Sequence, residues 1–265
     1  MGMGSLTYLK EIGMLGEVKE YVGTSGGSVC IALFLAGMDV TQELVTDQSY
    51  MDFDLNNVFS RFGVVKGDMV FSALEQIMCS HTGLQQCFTF KDFHEFTGVV
   101  FRVVAYNVRL SENHFFDVNA TPNMSVIDAV RMSCSIPFLF QVCKWKGDIY
   151  IDGGVSEYTQ LSHIPEEERK DTLVIKTGGD YRRKKECNPS TFMEYISCVY
   201  NAIHPCYRDH LLPAFPLKVL LSDTITQDDN VNPIQVVTNH ELMNKYYMAG
   251  YSQTQTVVPM STPRG

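Results

Sequence analysis

Two short segments hold the residue types that acyl-transfer chemistry needs. Ser25 lies in Gly23-Thr24-Ser25-Gly26-Gly27, a G-x-S-x-G pattern, and Asp152 lies in Tyr150-Ile151-Asp152-Gly153-Gly154. Serine is a weak nucleophile until a neighbour takes its proton. A carboxylate can do this alone, and so can a histidine oriented by an acid. At a tight strand-to-helix turn bulky neighbours would crowd the hydroxyl, so Gly23 and Gly27 are the expected flanking residues. The following helix points its first amides at the site, and the amide of Gly26 is the natural oxyanion donor. The competing reading of this segment is a phosphate-holding turn. It lacks the lysine of a P-loop and the full glycine spacing of a dinucleotide fold. Asp152 has its own plain reading as a common Asp-Gly turn.

Seven histidines are present, and His163 and His240 fall in polar stretches after Asp152. A Ser-Asp-His order therefore stays open on the residues alone. His204, Cys206 and His210 do not follow a usual zinc-ligand spacing, so neither metal nor cofactor is expected.

The elements that must position these groups follow from periodicity. Leu6, Leu9 and Ile12 share one helical face, so a helix is predicted over residues 5–15. Val18–Val22 predicts a strand running into the serine turn, and Ser28–Ala36 a buried helix. Residues 41–97 read as mostly helical, with Phe71–Met78 as the clearest amphipathic piece. Val99–Val108 predicts a central strand, Ser125–Ser133 a helix, and Ile149–Asp152 a short strand ended by two glycines. Leu173–Lys176 predicts another strand. Helices are expected around Phe192–Ile203 and Leu242–Thr256. Strands alternating with helices imply an α/β fold with a mostly parallel central sheet flanked by helices.

Composition narrows the function classes. With 265 residues, one sizeable domain can form its own core. A formal net charge of -9 argues against nucleic-acid binding, which calls for a basic patch. The one dense basic run, Arg182-Arg183-Lys184-Lys185, reads as a solvated loop and secondarily as a contact for anionic lipid heads. Cys30, Cys134, Cys143 and Cys198 sit in apolar runs, where free cysteine behaves as a small hydrophobe. With no recognisable signal peptide, a reducing, cytoplasmic setting is expected, and the sequons at Asn119 and Asn123 carry no meaning there. The longest apolar run, Val29–Met38, is too short to cross a bilayer, so any membrane contact is expected to be transient and peripheral. Phe53, Phe59, Phe62 and Phe71 could face lipid, but their helix-like spacing favours core.

Taken together, the segments resemble the patatin-like phospholipase family, a modified α/β hydrolase with a Ser-Asp dyad carried on G-x-S-x-G and D-G-[GA]. Three further stretches match. Gly4-Ser-Leu-Thr-Tyr-Leu resembles the family's helix before the nucleophile strand. Asp128-Ala-Val-Arg-Met-Ser-Cys-Ser-Ile-Pro137-Phe-Leu-Phe resembles its D-A-V-R-A-S-x-x-I-P-x-x-F block, and Leu242–Thr254 its closing helix, with Gly250-Tyr251 in place. The resemblance covers nearly the whole chain. It implies that Ser25 is the nucleophile, that Asp152 is the base, and that the substrate is a phospholipid or related acyl lipid cleaved through an acyl-enzyme, with no metal needed.

The sequence departs from the family in two places. The family's opening strand and G-G-G-x-[RK]-G loop, whose amides supply much of the oxyanion hole, have no counterpart ahead of Gly4, and Gly2 does not restore them. Residues 1–265 are thus expected to form one such domain without its first strand and glycine-rich loop. An absent oxyanion donor costs about 3 kcal/mol, so a catalytically impaired lipid- or partner-binding relative is the second expectation. After Asp152-Gly-Gly the family often has Asn-x-Pro, where this chain reads Ser156-Glu-Tyr-Thr-Gln160.

Overall fold

The computed structural model of the protein describes residues 1–38, 60–177, 211–221 and 239–258. Its helices are α1 (Gly2–Glu11), α2 (Gly26–Leu35), α3 (Asp68–Thr82), α4 (Phe90–Thr97), α5 (Val126–Ser133) and α6 (His240–Val257). Its strands are β1 (Glu20–Thr24), β2 (Gly63–Val65), β3 (Val100–Asn107), β4 (Glu112–Phe116), β5 (Phe138–Phe140), β6 (Cys143–Trp145), β7 (Asp148–Asp152), β8 (Leu173–Thr177) and β9 (Leu217–Leu221). The expected helices at residues 5–15, 28–36, 71–78, 125–133 and 242–256 and the strands at 99–108, 149–152 and 173–176 are present, with ends shifted by a few residues. The run Phe192–Ile203, the basic run 182–185, Phe53, Phe59 and Cys198 lie outside the described residues.

Strand β3 is the axis of the main sheet. Val103, Val104 and Ala105 are all fully buried, the uninterrupted apolar run of a strand covered on both faces. Antiparallel β4 takes one edge of β3, from Val103↔Phe116 to Asn107↔Glu112. The other edge is shared. Parallel β1 pairs with its first half, ending at Thr24↔Val104, and antiparallel β7 pairs with its second half, ending at Ala105↔Asp152. Two strands thus run toward each other along one edge of β3 and meet end to end.

The α/β class and the helix-flanked sheet are as expected, but the main described sheet is mixed rather than mostly parallel. The reason is local. β7 does not arrive through a crossover helix; it is the second arm of a hairpin with β6, paired at Trp145↔Asp148. The two loop residues, Lys146 and Gly147, both have positive φ (49° and 87°), which is what a tight hairpin turn asks for. Parallel pairing occurs in β1–β3 and in the small β2–β5 and β8–β9 sheets.

Helix ends carry ordinary signals. Gly83 and Gly98 terminate α3 and α4 in the left-handed conformation, and Thr89 and Asp92 form a reciprocal capping box at the start of α4. Phe71, Leu74 and Met78 are buried along one face of α3. Phe71 is therefore core, as expected, whereas Phe62 is 52% exposed, a departure from the core assignment. Helices α1 and α6 cross closely: a Cβ on Gly4 would lie 2.0 Å from the Tyr247 carbonyl oxygen, and one on Gly250 would lie 2.0 Å from that of Met1. Thr254 Oγ1 donates to Ser5 Oγ at 2.7 Å across this contact. Of the pair, α1 packs on α2, the helix that follows Ser25, and on β8, while α6 packs on β9.

Candidate active site

Ser25 occupies the point where β1 ends and α2 begins. Its backbone is at φ 52° and ψ -133°, a region that an L-residue adopts only when its surroundings enforce it, at a cost of about 1–3 kcal/mol. Those surroundings can be named. Gly23, two residues earlier, is so close to the helix that a Cβ there would sit 2.6 Å from Ser28 Cα. The Ser25 carbonyl accepts from Ser28 N at 2.8 Å and Ser28 Oγ at 2.6 Å. The Ser25 amide donates to Ser133 Oγ at 2.8 Å, and that hydroxyl donates to the Val104 carbonyl at 2.6 Å. The symmetric steric expectation for the flanking glycines holds on one side only. A Cβ on Gly27, or on Gly26, would meet nothing within 4 Å, because both face solvent at the open first turn of α2.

Asp152 closes β7 from the opposite direction and is 3% exposed. Its amide donates to the Ser135 carbonyl at 3.0 Å. One carboxylate oxygen, Oδ1, accepts from the Gly154 amide at 2.7 Å, and the other, Oδ2, accepts from Ser25 Oγ at 2.5 Å. Gly153 permits this turn, since a Cβ there would lie 2.6 Å from the Val104 carbonyl oxygen and 3.2 Å from Thr24 Cγ2. The end-to-end meeting of β1 and β7 beside the Val104–Ala105 step therefore explains the hydroxyl–carboxylate contact. Both amides are held by one short segment, Ser133–Ser135, at the end of α5. Sequence reasoning placed this segment in a family block without giving it a role. Its signal was a pair of serines bracketing a helix end.

Burial pushes the Asp152 carboxyl up to about 6, while the Ser25 hydroxyl and the Gly154 amide pull it down. A carboxylate in this state takes a proton more readily than a solvent-exposed one and still ionises below neutral pH. Cys134 lies behind the pair, its thiol also pushed up, by burial first and by the charge of Asp152 second. Ser25 N is committed to Ser133, so an oxyanion at this site would be met by the Gly26 amide at the N-terminus of α2, where first-turn amides lack intrahelical partners. His163 meets Phe115 edge to face with ring centroids 4.7 Å apart, and His240 contacts Asn244 at the start of α6. His163 Nδ1 lies 3.1 Å from Ser162 Oγ, and His240 Nδ1 lies 3.1 Å from Asn244 Nδ2. Among the described residues no group of three or more His, Cys, Asp or Glu is placed to hold a metal ion. His204, Cys206 and His210 lie outside them. No helix among the described residues is long and apolar enough to cross a membrane.

Comparison with known proteins gives a consistent picture. The family model for patatin-like phospholipase matches residues 1–160, more than half of the chain and inclusive of both Ser25 and Asp152. A probable lipid hydrolase of Invertebrate iridescent virus 6 is 26% identical over 161 residues, covering 58% of this chain and 54% of that protein. An uncharacterized protein of Acanthamoeba polyphaga mimivirus is 27% identical over 146 residues, covering 52% and 48%. The chain thus spans about half the length of the curated relatives it matches. Among solved structures, VipD from Legionella pneumophila superposes with a TM-score of 0.62 over 96% of this chain and 63% of that one, at 16% identity, a likeness of fold.

Proposed function

The chain belongs to the patatin-like phospholipase family, and from that premise we propose that it is a lipid acyl hydrolase of the phospholipase A type, with Ser25 as nucleophile and Asp152 as its base. The observation that carries the proposal is the 2.5 Å hydrogen bond from Ser25 Oγ to Asp152 Oδ2, made by two strand ends that converge on one edge of β3.

In the first step Asp152 takes the Ser25 proton as Oγ attacks the ester carbonyl carbon. The carbonyl oxygen becomes an oxyanion facing the Gly26 amide. Collapse breaks the bond to the leaving alcohol, which takes the proton back from Asp152. Water then attacks the acyl-serine, giving its proton to Asp152, and the fatty acid leaves as that proton returns to Ser25. Every transfer runs through one carboxylate, so no histidine is needed. The ester is that of a phospholipid or related acyl lipid, reached by transient contact with a membrane surface. The family match and the similarity to a probable lipid hydrolase support this choice.

The test is hydrolysis of a short-chain nitrophenyl ester and of mixed phospholipid vesicles by wild type, Ser25→Ala and Asp152→Ala, each checked for folding. Activity lost in both variants supports the dyad. Lipid binding that survives Ser25→Ala, with no product from any of the three proteins, contradicts it and points to a binding protein. Substitution of His163 and His240 by alanine is expected to leave most activity in place.

A further inference from the structure

The loop that follows the base is where the sequence leaves the family pattern, and it contains a closed ring of hydrogen bonds. Gln160 is 3% exposed and sits in the left-handed backbone region at φ 53°, which folds its side chain back under the Gly153–Val155 turn. Its Nε2 donates to the Gly153 carbonyl at 3.3 Å and also to the Glu157 carbonyl. Its Oε1 accepts from Asn113 Nδ2 at 2.6 Å. Asn113 Oδ1 in turn accepts from Ser156 Oγ at 2.6 Å, and Ser156 Oγ lies 3.1 Å from the Gly153 carbonyl, which closes the ring. Asn113 belongs to β4, on the edge of β3 opposite β7, so the ring ties the base turn across the axis of the sheet.

The Gly153 carbonyl and the Gly154 amide are two ends of one peptide plane, which is rigid. Whatever fixes the carbonyl also fixes the direction of the N–H. That N–H holds Asp152 Oδ1 at 2.7 Å, and the orientation of Oδ1 sets where Oδ2 meets Ser25. We infer that Gln160 is a positioning residue for the base: by clamping the Gly153 carbonyl it aims the Gly154 amide, and through it holds the Asp152 carboxylate against Ser25. The inference rests on the Ser25–Asp152 reading above and adds to it a residue that touches neither the nucleophile nor the reacting atoms. The groups facing the Asp152 carboxyl are the Ser25 hydroxyl and the Gly154 amide, with the Cys134 thiol as a titratable neighbour.

The experiment compares wild type with Gln160→Met, which keeps the length of the side chain and removes its amide, and with Asn113→Ala, which breaks the ring on its far side. Kinetics on a soluble nitrophenyl ester are paired with NMR hydrogen exchange at the Gly154 amide in the folded proteins. Loss of one such buried hydrogen-bonding group predicts a kcat about tenfold lower in Gln160→Met, with KM unchanged within about twofold. The acid limb of its pH–rate profile moves to higher pH, because the Gly154 hydrogen bond that favours the carboxylate is loosened. Exchange at Gly154 speeds up by about tenfold, and Asn113→Ala shows the same changes at about threefold. A simple loss of folded protein would lower apparent kcat at unchanged KM but would leave the acid limb where it is, so the pH profile and the Gly154 exchange carry the distinction. Wild-type kcat and pH profile in folded Gln160→Met, or Gly154 exchange unchanged in both variants, would overturn the inference. Should wild type show no Ser25-dependent hydrolysis, the lipid-hydrolase reading fails by itself, and the Gly154 exchange still decides whether Gln160 clamps the turn.

Discussion

The turns at Ser25 and Asp152 solve the same problem, a polar side chain held still at the end of a strand, by different means. The turn at Ser25 combines local backbone geometry, a glycine pressed on the helix, a strained residue and a helix that begins one residue later, with a single distant side chain, the Ser133 hydroxyl on its amide. The turn at Asp152 is relaxed in φ (-52°) and is held from outside, by the Ser135 backbone carbonyl just past α5 and by the side chains of Gln160 and Asn113. Both turns reject bulk at one glycine, Gly23 and Gly153, but strain is stored only in the first, and the network behind the second makes it the one intolerant of lost polar groups.

The predictions sharpen that contrast, beginning with the largest effect. Gly23→Ala is expected to destabilise the protein by about 3 kcal/mol or more and to remove activity, since its Cβ meets backbone rather than a movable side chain. Chemical denaturation would measure this. A variant as stable as wild type would mean that the elbow is looser than described.

Asp152→Asn is expected to act in the opposite direction. An acid raised to about 6 in the fold and near 4 in the unfolded chain is protonated in both states below about pH 4, where it contributes no difference. As pH rises through 4 to 6 the unfolded chain ionises first, so the folded state loses stability, by about 3 kcal/mol above pH 6. The asparagine variant escapes this loss. Thermal melts should show it more stable than wild type at pH 8 and close to wild type at pH 4, while inactive throughout. A stability difference independent of pH would show that the carboxyl is not raised.

Smaller effects separate strain from chemistry. Ser25→Gly and Ser25→Ala both lack the hydroxyl, but only glycine adopts φ 52° and ψ -133° freely, so the glycine variant should be more stable by about 1 kcal/mol. Gly27→Ala should be the mildest change. Its Cβ meets nothing, and alanine favours a helix over glycine, so stability is expected to be equal to wild type or higher by up to about 1 kcal/mol. Denaturation of these three variants side by side checks both statements.

How far the site was legible in the sequence follows the same division. Ser25 and Asp152 announced themselves through local patterns, because a serine between a strand and a helix and a carboxylate before two glycines leave short-range traces. The long apolar run of β3 was legible for the same reason. The three-residue strands β2, β5 and β6 were not, because so few residues hold no measurable period. Nor was the sheet's mixed character, which depended on reading Lys146-Gly147 as a hairpin turn rather than as a loop before a parallel strand. The roles of Ser133, Gln160 and Asn113 depend on pairings 108 and 47 residues apart. No single-chain periodicity encodes such contacts. The steric need at Gly27 was assumed from the motif and disappears once the helix is seen to open toward solvent.

The most direct test of the central claim is covalent labelling of Ser25 by a fluorophosphonate, followed by mass spectrometry across pH in wild type and Asp152→Asn. The account predicts a single adduct on Ser25, a labelling rate that rises through an apparent pKa near 6, and a loss of about a hundredfold or more in the asparagine variant. An adduct elsewhere, or a folded Asp152→Asn protein that labels at the wild-type rate, would contradict it.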